Sequence, residues 1–315
     1  MFDLARLKLL RELAHRGTMT AVGAAVGLTS SAVSQQLATL EQEAQVALLE
    51  RIGRGVRLTA EGLRLVTHTE AILQAVEAAA LDLKAAGENP CGVLEVACFP
   101  TFAKARLLAA MIRARKRFPE LRVIIHELES ADAIEAVREG RCDLAVSFAY
   151  NLVPHPAIAG LVSHPLIDEP VFLVLPPAWR RERQPIGLER FAQEDWIVGS
   201  RQSDDRRLAE RVCGIAGFAP RIAHTVDDYD LVIRMVAAGF GVGFVPELGL
   251  GSPSADSVVI RTPIGTPLRR RIHALTRTAI AGSPAIQALL AELTGAGKQG
   301  TAEPSRRKKP ARTTA

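Results

Sequence analysis

Residues 18–59 read TMTAVGAAVGLTSSAVSQQLATLEQEAQVALLERIGRGVRLT. Two short helical patterns meet in this stretch at a tight turn. The first, Thr20–Val26, is small and apolar, with Val22 and Val26 four apart. The second starts at a Thr29/Ser30 cap and runs to about Gln45, with Val33, Leu37 and Leu40 on one face. Gly27-Leu28 lies between them, and Ala21, Gly23, Ala24 and Ala25 are small enough for the helices to cross closely. The spacing predicts a helix-turn-helix. Turning Val33, Leu37 and Leu40 inward leaves Ser30, Ser31, Ser34, Gln35 and Ala38 outside, short and polar around a helix N-terminus. Such a face can approach base edges and phosphates without obstruction. A basic hairpin follows, Arg51-Ile-Gly-Arg54-Gly-Val-Arg57. Its glycines permit a turn and its three arginines suit a wing that grips DNA backbone or minor groove.

The chain resembles the LysR-type transcriptional regulators at these residues. The family's N-terminal pattern is matched by Gly17-Thr-Met-Thr-Ala21, by Thr29 through Glu41, and by Leu48 through Gly62. Two departures, Ser30-Ser31 for a frequent Gln-Pro and Gln35 for a frequent Arg, imply a different set of operator bases. The resemblance extends over nearly the whole chain. It implies an α+β multidomain protein: a winged helix-turn-helix over 1–59, a dimerising linker helix over 60–88, and a two-lobed α/β effector domain over 91–294. That effector domain is similar to type 2 periplasmic binding proteins. The implied partners are a double-stranded DNA operator, a small-molecule effector, a homodimer or homotetramer, and RNA polymerase. No cofactor is implied.

Composition bounds the reading only loosely. The chain has 315 residues, 48% of them hydrophobic and 4% aromatic, so its cores are built of Ala, Val, Leu and Ile. The net charge of +5 permits a nucleic-acid partner without demanding one, because part of it sits in Arg306-Arg-Lys-Lys309. The tail over 295–315 lacks buryable apolar residues and is expected to be disordered. Cys91, Cys98, Cys142 and Cys213 show no metal spacing and read as buried thiols of a reducing cytoplasm. No signal peptide opens the chain, and no apolar run reaches the ~18 residues of a membrane span. The expectation is a cytoplasmic protein without a membrane partner.

Before the first helix-turn-helix element, residues 3–16 carry Leu4, Leu7, Leu10 and Ala14 as one stripe with Leu13 beside it, capped by Asp3. After the hairpin, Ala60 to about Ala86 reads as one helix, with Val66, Thr69, Leu73, Val76, Ala80 and Leu83 in heptad spacing and Ile72 beside them. Self-association along this seam would pair two reading heads for a two-fold operator. Gly87-Glu-Asn-Pro90 ends it. Strands and helices then alternate, which predicts parallel sheets flanked by helices in two lobes. A Pro-punctuated connection, residues 154–165, is expected between the lobes, with a return through 257–276 and a last helix near Pro284–Leu293.

Enzyme chemistry finds no support in the motifs. HExxH, GxSxG and Walker patterns are absent, and no histidines are spaced as metal ligands. Gly239-Phe-Gly241-Val-Gly243 follows a helix and precedes a strand, the wrong order for a phosphate cradle. A ligand would instead sit between the lobes, where strand C-termini and helix N-termini converge. The resemblance places effector contacts at Phe99, Pro100, Thr101, Ser130 and Phe148 of the first lobe. In the second lobe it places them at Ser200, Asp227, Asp228 and Val245. Ser130, Asp227 and Asp228 are equally good helix caps. Asp227 and Asp228 opposite the hydroxyls of Thr101 and Ser130 suit a zwitterionic or cationic amino acid. The rival readings are a solute-binding module with no regulatory role and a general DNA-binding protein.

Overall fold

The structure is a computed structural model that describes residues 1–53, 55–84, 89–153, 160–182, 184–200, 203–251 and 253–295. The chain divides into two compact units, Met1–Gly87 and Glu88–Ala315.

In the first unit, α1 (Leu4–Arg16) starts at Asp3, whose carboxylate accepts the Ala5 and Arg6 N–H groups at 2.7 and 3.2 Å. It ends at Gly17, where a φ of 73° turns the chain and the glycine N–H returns to the Leu13 carbonyl. Thr18 caps α2 (Met19–Val26) and Thr29 caps α3 (Ser30–Ala44), each through its hydroxyl. Strands β1 (Leu49–Ile52) and β2 (Gly55–Leu58) pair antiparallel, and α4 (Ala60–Lys84) follows. Leu7, Leu10, Val22, Val33, Leu37, Leu40, Leu48 and Val66 share one core. At about 1.5–3 kcal/mol for each large side chain, this burial rather than helix propensity holds so small a unit together.

Three sequence expectations shift here. Leu4 and Val26 are exposed, and Leu9 is buried in place of Leu4. The reason is that α1 packs against α2, α3 and α4 and needs a wider apolar face than one stripe. In the α4 seam Val66 and Thr69 are buried, Val66 in the unit's own core, while Ile72 and Val76 are exposed. The early half of the seam therefore serves this chain's own packing. Ala80 and Leu83 lie outside the described side chains, and residues 85–88 and 296–315 lie outside the described residues.

The second unit begins with β3 (Gly92–Cys98) and α5 (Pro100–Phe102), a single turn. A wide i→i+5 turn, Ala103–Leu107, carries the chain on into α6 (Leu108–Arg117). Next come β4 (Leu121–Glu127), α7 (Ser130–Arg138), β5 (Leu144–Tyr150) and the long β6 (Leu161–Leu175). The second lobe holds β7 (Asp195–Val198), α8 (Asp204–Ile215), β8 (Arg221–Thr225), α9 (Tyr229–Ala237), β9 (Gly243–Pro246) and β10 (Val259–Arg261). The chain returns through β11 (Arg269–Arg277) to α10 (Pro284–Gly295), which packs on α6. Gly239, with φ 82°, follows α9 as a helix stop, so the glycine cluster is no phosphate loop.

The sheet is mixed rather than parallel. Strands β3, β4 and β5 are parallel, but β11 runs antiparallel to β5 and β6, and β9 and β10 run antiparallel to β6. The cause is the path between lobes: β6 leaves the first lobe and β11 re-enters it, so they must run in opposite directions. Residues 161–170 of β6 pair with β11, and residues 171–175 pair with β9 and β10. Pro165, read as the end of the Pro-punctuated connection, lies inside this strand and pairs beside the register shift between Ile272 and His273; Pro170 lies inside it as well. Cys98, Cys142 and Cys213 are buried free thiols, and Cys91 is exposed. Among the described residues no helix is long and apolar enough to cross a membrane.

A Cβ at Gly23 would lie 2.5 Å from the Leu28 carbonyl oxygen, so the close passage of α2 past the turn requires glycine. Gly23→Ala is expected to destabilise the first unit by about 1–3 kcal/mol, as overpacking does. Both tryptophans, Trp179 and Trp196, belong to the second unit. The loss should therefore appear in helical circular dichroism on heating while the tryptophan fluorescence transition stays in place.

Candidate functional site

The first candidate surface is the outer face of α3. Ser30, Ser31, Ser34, Gln35 and Ala38 are all exposed, and Val33, Leu37 and Leu40 are buried behind them. Three contacts aim this face. Arg6 Nε donates to Gln36 Oε1 at 3.0 Å, and Arg6 also pairs with Glu43, so α1 clamps the far side of α3. Thr29 Oγ1 lies 3.0 Å from Ser31 Oγ and caps the helix through Ala32 N–H. Glu41 Oε1 accepts the N–H groups of Leu48 and Leu49 at 2.8 and 2.9 Å, tying the hairpin to α3. Glu41 stands in the sequence motif, but this role has no local signature, because its partners lie beyond the next turn.

In the hairpin, Arg51 is exposed, and Arg57 pairs with Glu50 across the two strands at 2.7 Å. Arg57 thus presents a charge already partly balanced. Arg54 lies outside the described residues.

The second candidate site is a cavity of about 1380 Å³ within the second unit. Its lining brings together Phe99, Pro100, Thr101, Ser130 and Phe148 from the first lobe with Ser200, Asp227 and Asp228 from the second. Val245 is not among them. Strand alternation turns its side chain into the second-lobe core with Val174, Ile197 and Val232, where it is fully buried. Ser130 is the first residue of α7 and not its cap; its Oγ lies 3.0 Å from Ser147 Oγ and accepts the Phe148 N–H at 2.9 Å. Asp228 does cap α9, accepting Leu231 N–H at 2.8 Å, while Asp227 accepts Ser200 N–H at 2.7 Å and joins two loops.

The floor of the cavity was not visible in the sequence patterns. Arg270 Nε donates to Glu169 Oε1 at 2.7 Å, and each side chain is 1% exposed. The two residues pair directly across β11 and β6. Glu169 Oε2 also accepts Leu248 N–H at 2.7 Å. The Arg270 guanidinium lies 5.2, 5.1 and 5.9 Å from the ring centres of Phe99, Phe148 and Tyr229. Beside it, Tyr229 donates to Asp205 Oδ1 at 2.8 Å, and Tyr150 donates to the same oxygen. Arg270 sits in the run Arg269-Arg270-Arg271, which reads as a charged surface. The alternation of a strand puts only the middle arginine on the face of Ile272 and Ala274, and that was the available signal.

Burial dominates the electrostatics of this floor. It pushes the Glu169 carboxyl up against the opposing pull of Arg270. It pushes Asp205 up against its tyrosine hydrogen bonds, and it raises both phenols well above their ordinary range. Burial works against the charge on Arg270, but the two tyrosines, Glu169 and Asp205 outweigh it and hold the guanidinium protonated. Glu129 is raised by burial and then by Asp205 and Asp227. The buried thiols take no part: burial raises Cys98 and Cys142, and Cys213 to about 12, so none of these three is a nucleophile near neutral pH.

Two outcomes follow from the floor. Glu169→Ala strands a buried guanidinium and should cost about 3–5 kcal/mol. The apolar pair Glu169→Leu with Arg270→Met should recover most of this, read by urea unfolding followed through Trp179 and Trp196. The raised Glu129 carboxyl gives a signed pH effect. The folded state holds its proton up to a higher pH than the unfolded chain does. Stability therefore falls as pH rises from the ordinary carboxylate range, about 4, through the raised value, and returns on acidification. Comparison with Glu129→Gln isolates this loss from His273, whose value is lowered by burial and acts in the opposite sense.

Known families match stretches of both units. Residues 4–63 match the family described as bacterial regulatory helix-turn-helix protein, lysR family, and residues 87–298 match the LysR substrate binding domain. A Shigella flexneri protein named as the uncharacterized HTH-type transcriptional regulator YfeR is 26% identical over 84% of this chain and 85% of its own. The nitrogen assimilation regulatory protein nac of Escherichia coli is 28% identical over 78% of each chain. Full-length OxyR of Pseudomonas aeruginosa superposes with a TM-score of 0.66 at 19% identity, covering 93% of this chain and 98% of that one. CbnR in complex with its target DNA superposes at 0.53 with 22% identity, over 94% and 99%. These structural likenesses show the fold, and the two family matches together span both units. The chain belongs to the LysR family of bacterial transcriptional regulators, with a helix-turn-helix DNA-binding domain and an effector-binding domain.

Proposed function

We propose that this regulator reads an operator in double-stranded DNA with Ser30, Ser31, Ser34 and Gln35 of α3, and anchors on the backbone or minor groove through Arg51, Arg54 and Arg57. The observation that carries this reading is the outer face of α3: polar, short and exposed, at a capped helix N-terminus, with Gln36 engaged by Arg6 and Gln35 left exposed. A glutamine so placed can pair with adenine through two hydrogen bonds. The exposed Ile72 and Val76, four apart on α4 beyond its buried part, support self-association into a homodimer or a tetramer of dimers. A small molecule held between the two lobes then changes the DNA-bound state, because a ligand with unequal affinity for two states shifts their populations.

The test is selection of genomic fragments by the purified protein. A dimer yields an interrupted palindrome whose half-sites lie about 10–10.5 bp, or a multiple, apart. Recovery of every fragment alike, lost uniformly with salt, identifies a general DNA binder instead. On the selected operator, Gln35→Ala should cost roughly 1–3 kcal/mol and relax the preference at one base pair. Arg51→Ala should weaken all sequences alike and reduce the slope of log affinity against log salt by about 1.

A further inference from the structure

The charge on the cleft has a pattern that the capping roles do not explain. Glu129, on the first-lobe wall, occupies the position before α7 but makes no capping hydrogen bond. Asp205 in α8 and Asp227 before α9 stand on the second-lobe wall of the same cavity. Asp205 and Asp227 each use only Oδ1, toward the two tyrosines and toward Ser200 N–H. Their Oδ2 atoms have no hydrogen-bond partner among the described residues.

The cations of the lining offset this set only in part: Arg270 pulls Glu129 and Asp205 down, but burial and the neighbouring carboxylates outweigh it at Glu129 and burial outweighs it at Asp205. Arg207 pairs with Asp204 at 3.4 Å, Arg234 with Asp230 at 2.7 Å and Arg270 with Glu169 at 2.7 Å. Lys104 is exposed. Arg270 supplies a second and independent signal. It is 1% exposed and lines the cavity; its Nε and Nη2 reach Glu169 and Thr101, and its Nη1 has no partner among the described residues. A buried guanidinium with donors to spare beside a cavity fits a carboxylate. The cavity, about 1380 Å³, is also wider than the roughly 300–1,000 Å³ of a close-fitting small-molecule site.

We propose that the effector is an organic cation that also carries a carboxylate, in chemical class a dibasic amino acid. Its carboxylate meets Arg270 Nη1 and Thr101, its side-chain cation sits between Glu129 and the Asp205/Asp227 wall, and the bridge draws the lobes together. The inference rests on the reading that the cleft holds the effector. Glu129 is raised in part by Asp205 and Asp227, so like charges face each other across the cleft and a cation placed there removes the repulsion. A metal ion is the poorer occupant, because among the described residues no group of three or more His, Cys, Asp or Glu is arranged to hold one.

The experiment is calorimetric titration and thermal shift of the full chain with L-lysine, L-arginine, cadaverine, L-norleucine and glutarate. Lysine or arginine should bind. Cadaverine, which lacks the carboxylate, and norleucine, which lacks the side-chain cation, should each bind about tenfold more weakly or worse, and glutarate should not bind. Glu129→Gln should raise the melting temperature of the free protein and weaken lysine binding about tenfold. A merely structural role for Glu129 would not move these two readouts in opposite directions. Equal or tighter binding of norleucine or glutarate, or no binding by any of the five, overturns the proposal. The variant Ala131→Trp, which fills the cleft from an exposed position on α7, separates the two failures. Glutarate binding lost in that variant leaves the cleft as effector site and removes only its charge class. Glutarate binding that survives it overturns the cleft reading as well.

Discussion

The second unit is organised by one buried ion pair, Arg270 with Glu169. The pair sits where the two crossing strands meet: Pro170 of β6 still pairs with Arg269 of β11, while Val171 already pairs with Pro246 of the second lobe. In register, Tyr150, Arg270 and Glu169 form one row across β5, β11 and β6. A buried pair of this kind gains little net stability, since desolvation offsets most of the attraction. Its physical consequence is placement. A one-residue slip of β11 would turn every side chain to the opposite face: Arg269 or Arg271 would face Glu169, and the buried Ile272 and Ala274 would turn to solvent. Arg269 instead pairs with Asp168 at 2.7 Å on the exposed side. The apolar face of Ile272 and Ala274, which carries Arg270 toward Glu169, therefore fixes a single register, and with it the geometry of the passage between lobes.

The first unit meets a different constraint, which is close approach. Its helix α3 is held on a small core by backbone contact more than by bulk. Gly23 lets α2 pass against the turn before α3, Glu41 holds two hairpin amides, and Thr59 donates to the Ala47 carbonyl while capping α4. These contacts link α3, the hairpin and the start of α4. Ser30, Ser31, Ser34 and Gln35 are left without a packing role, which is the condition for a surface to be chosen by what it binds.

Local periodicity made most of this legible. The split of α3 into a buried Val33/Leu37/Leu40 face and an exposed polar face is a direct consequence of 3.6-residue spacing, and the order of strands and helices after Pro90 followed from the change of period. Strand direction was not legible, because Pro165 looks like a loop residue until the register shift and the pairing of β6 are known. The resemblance places Val245 at the cleft, at the end of its strand, but alternation, not proximity, decides which way a strand residue faces. The cleft floor escaped for a related reason. Charged residues default to the surface, and nothing local links Arg270 to Glu169, 101 positions away, or Tyr150 to Asp205, 55 away. Such residues become visible only once topology has brought distant segments together.

The same floor bears on how a ligand could act. Tyr150 belongs to the first lobe and donates to Asp205 of the second, where Tyr229 donates as well. The lobes are thus tied by neutral donors on a carboxylate next to the crossing strands, while Glu129 and Asp227 place unbalanced charge of one sign on the two walls. Attraction and repulsion act at different places along one cleft, so a ligand that reaches both walls would bear on the spacing of the lobes. A ligand moves an equilibrium between two spacings only by the difference in its affinity for them. A group that touches a single wall binds both spacings equally and changes nothing, however tightly it is held. A group that reaches both walls binds the narrower spacing better, and its binding energy becomes a change of shape.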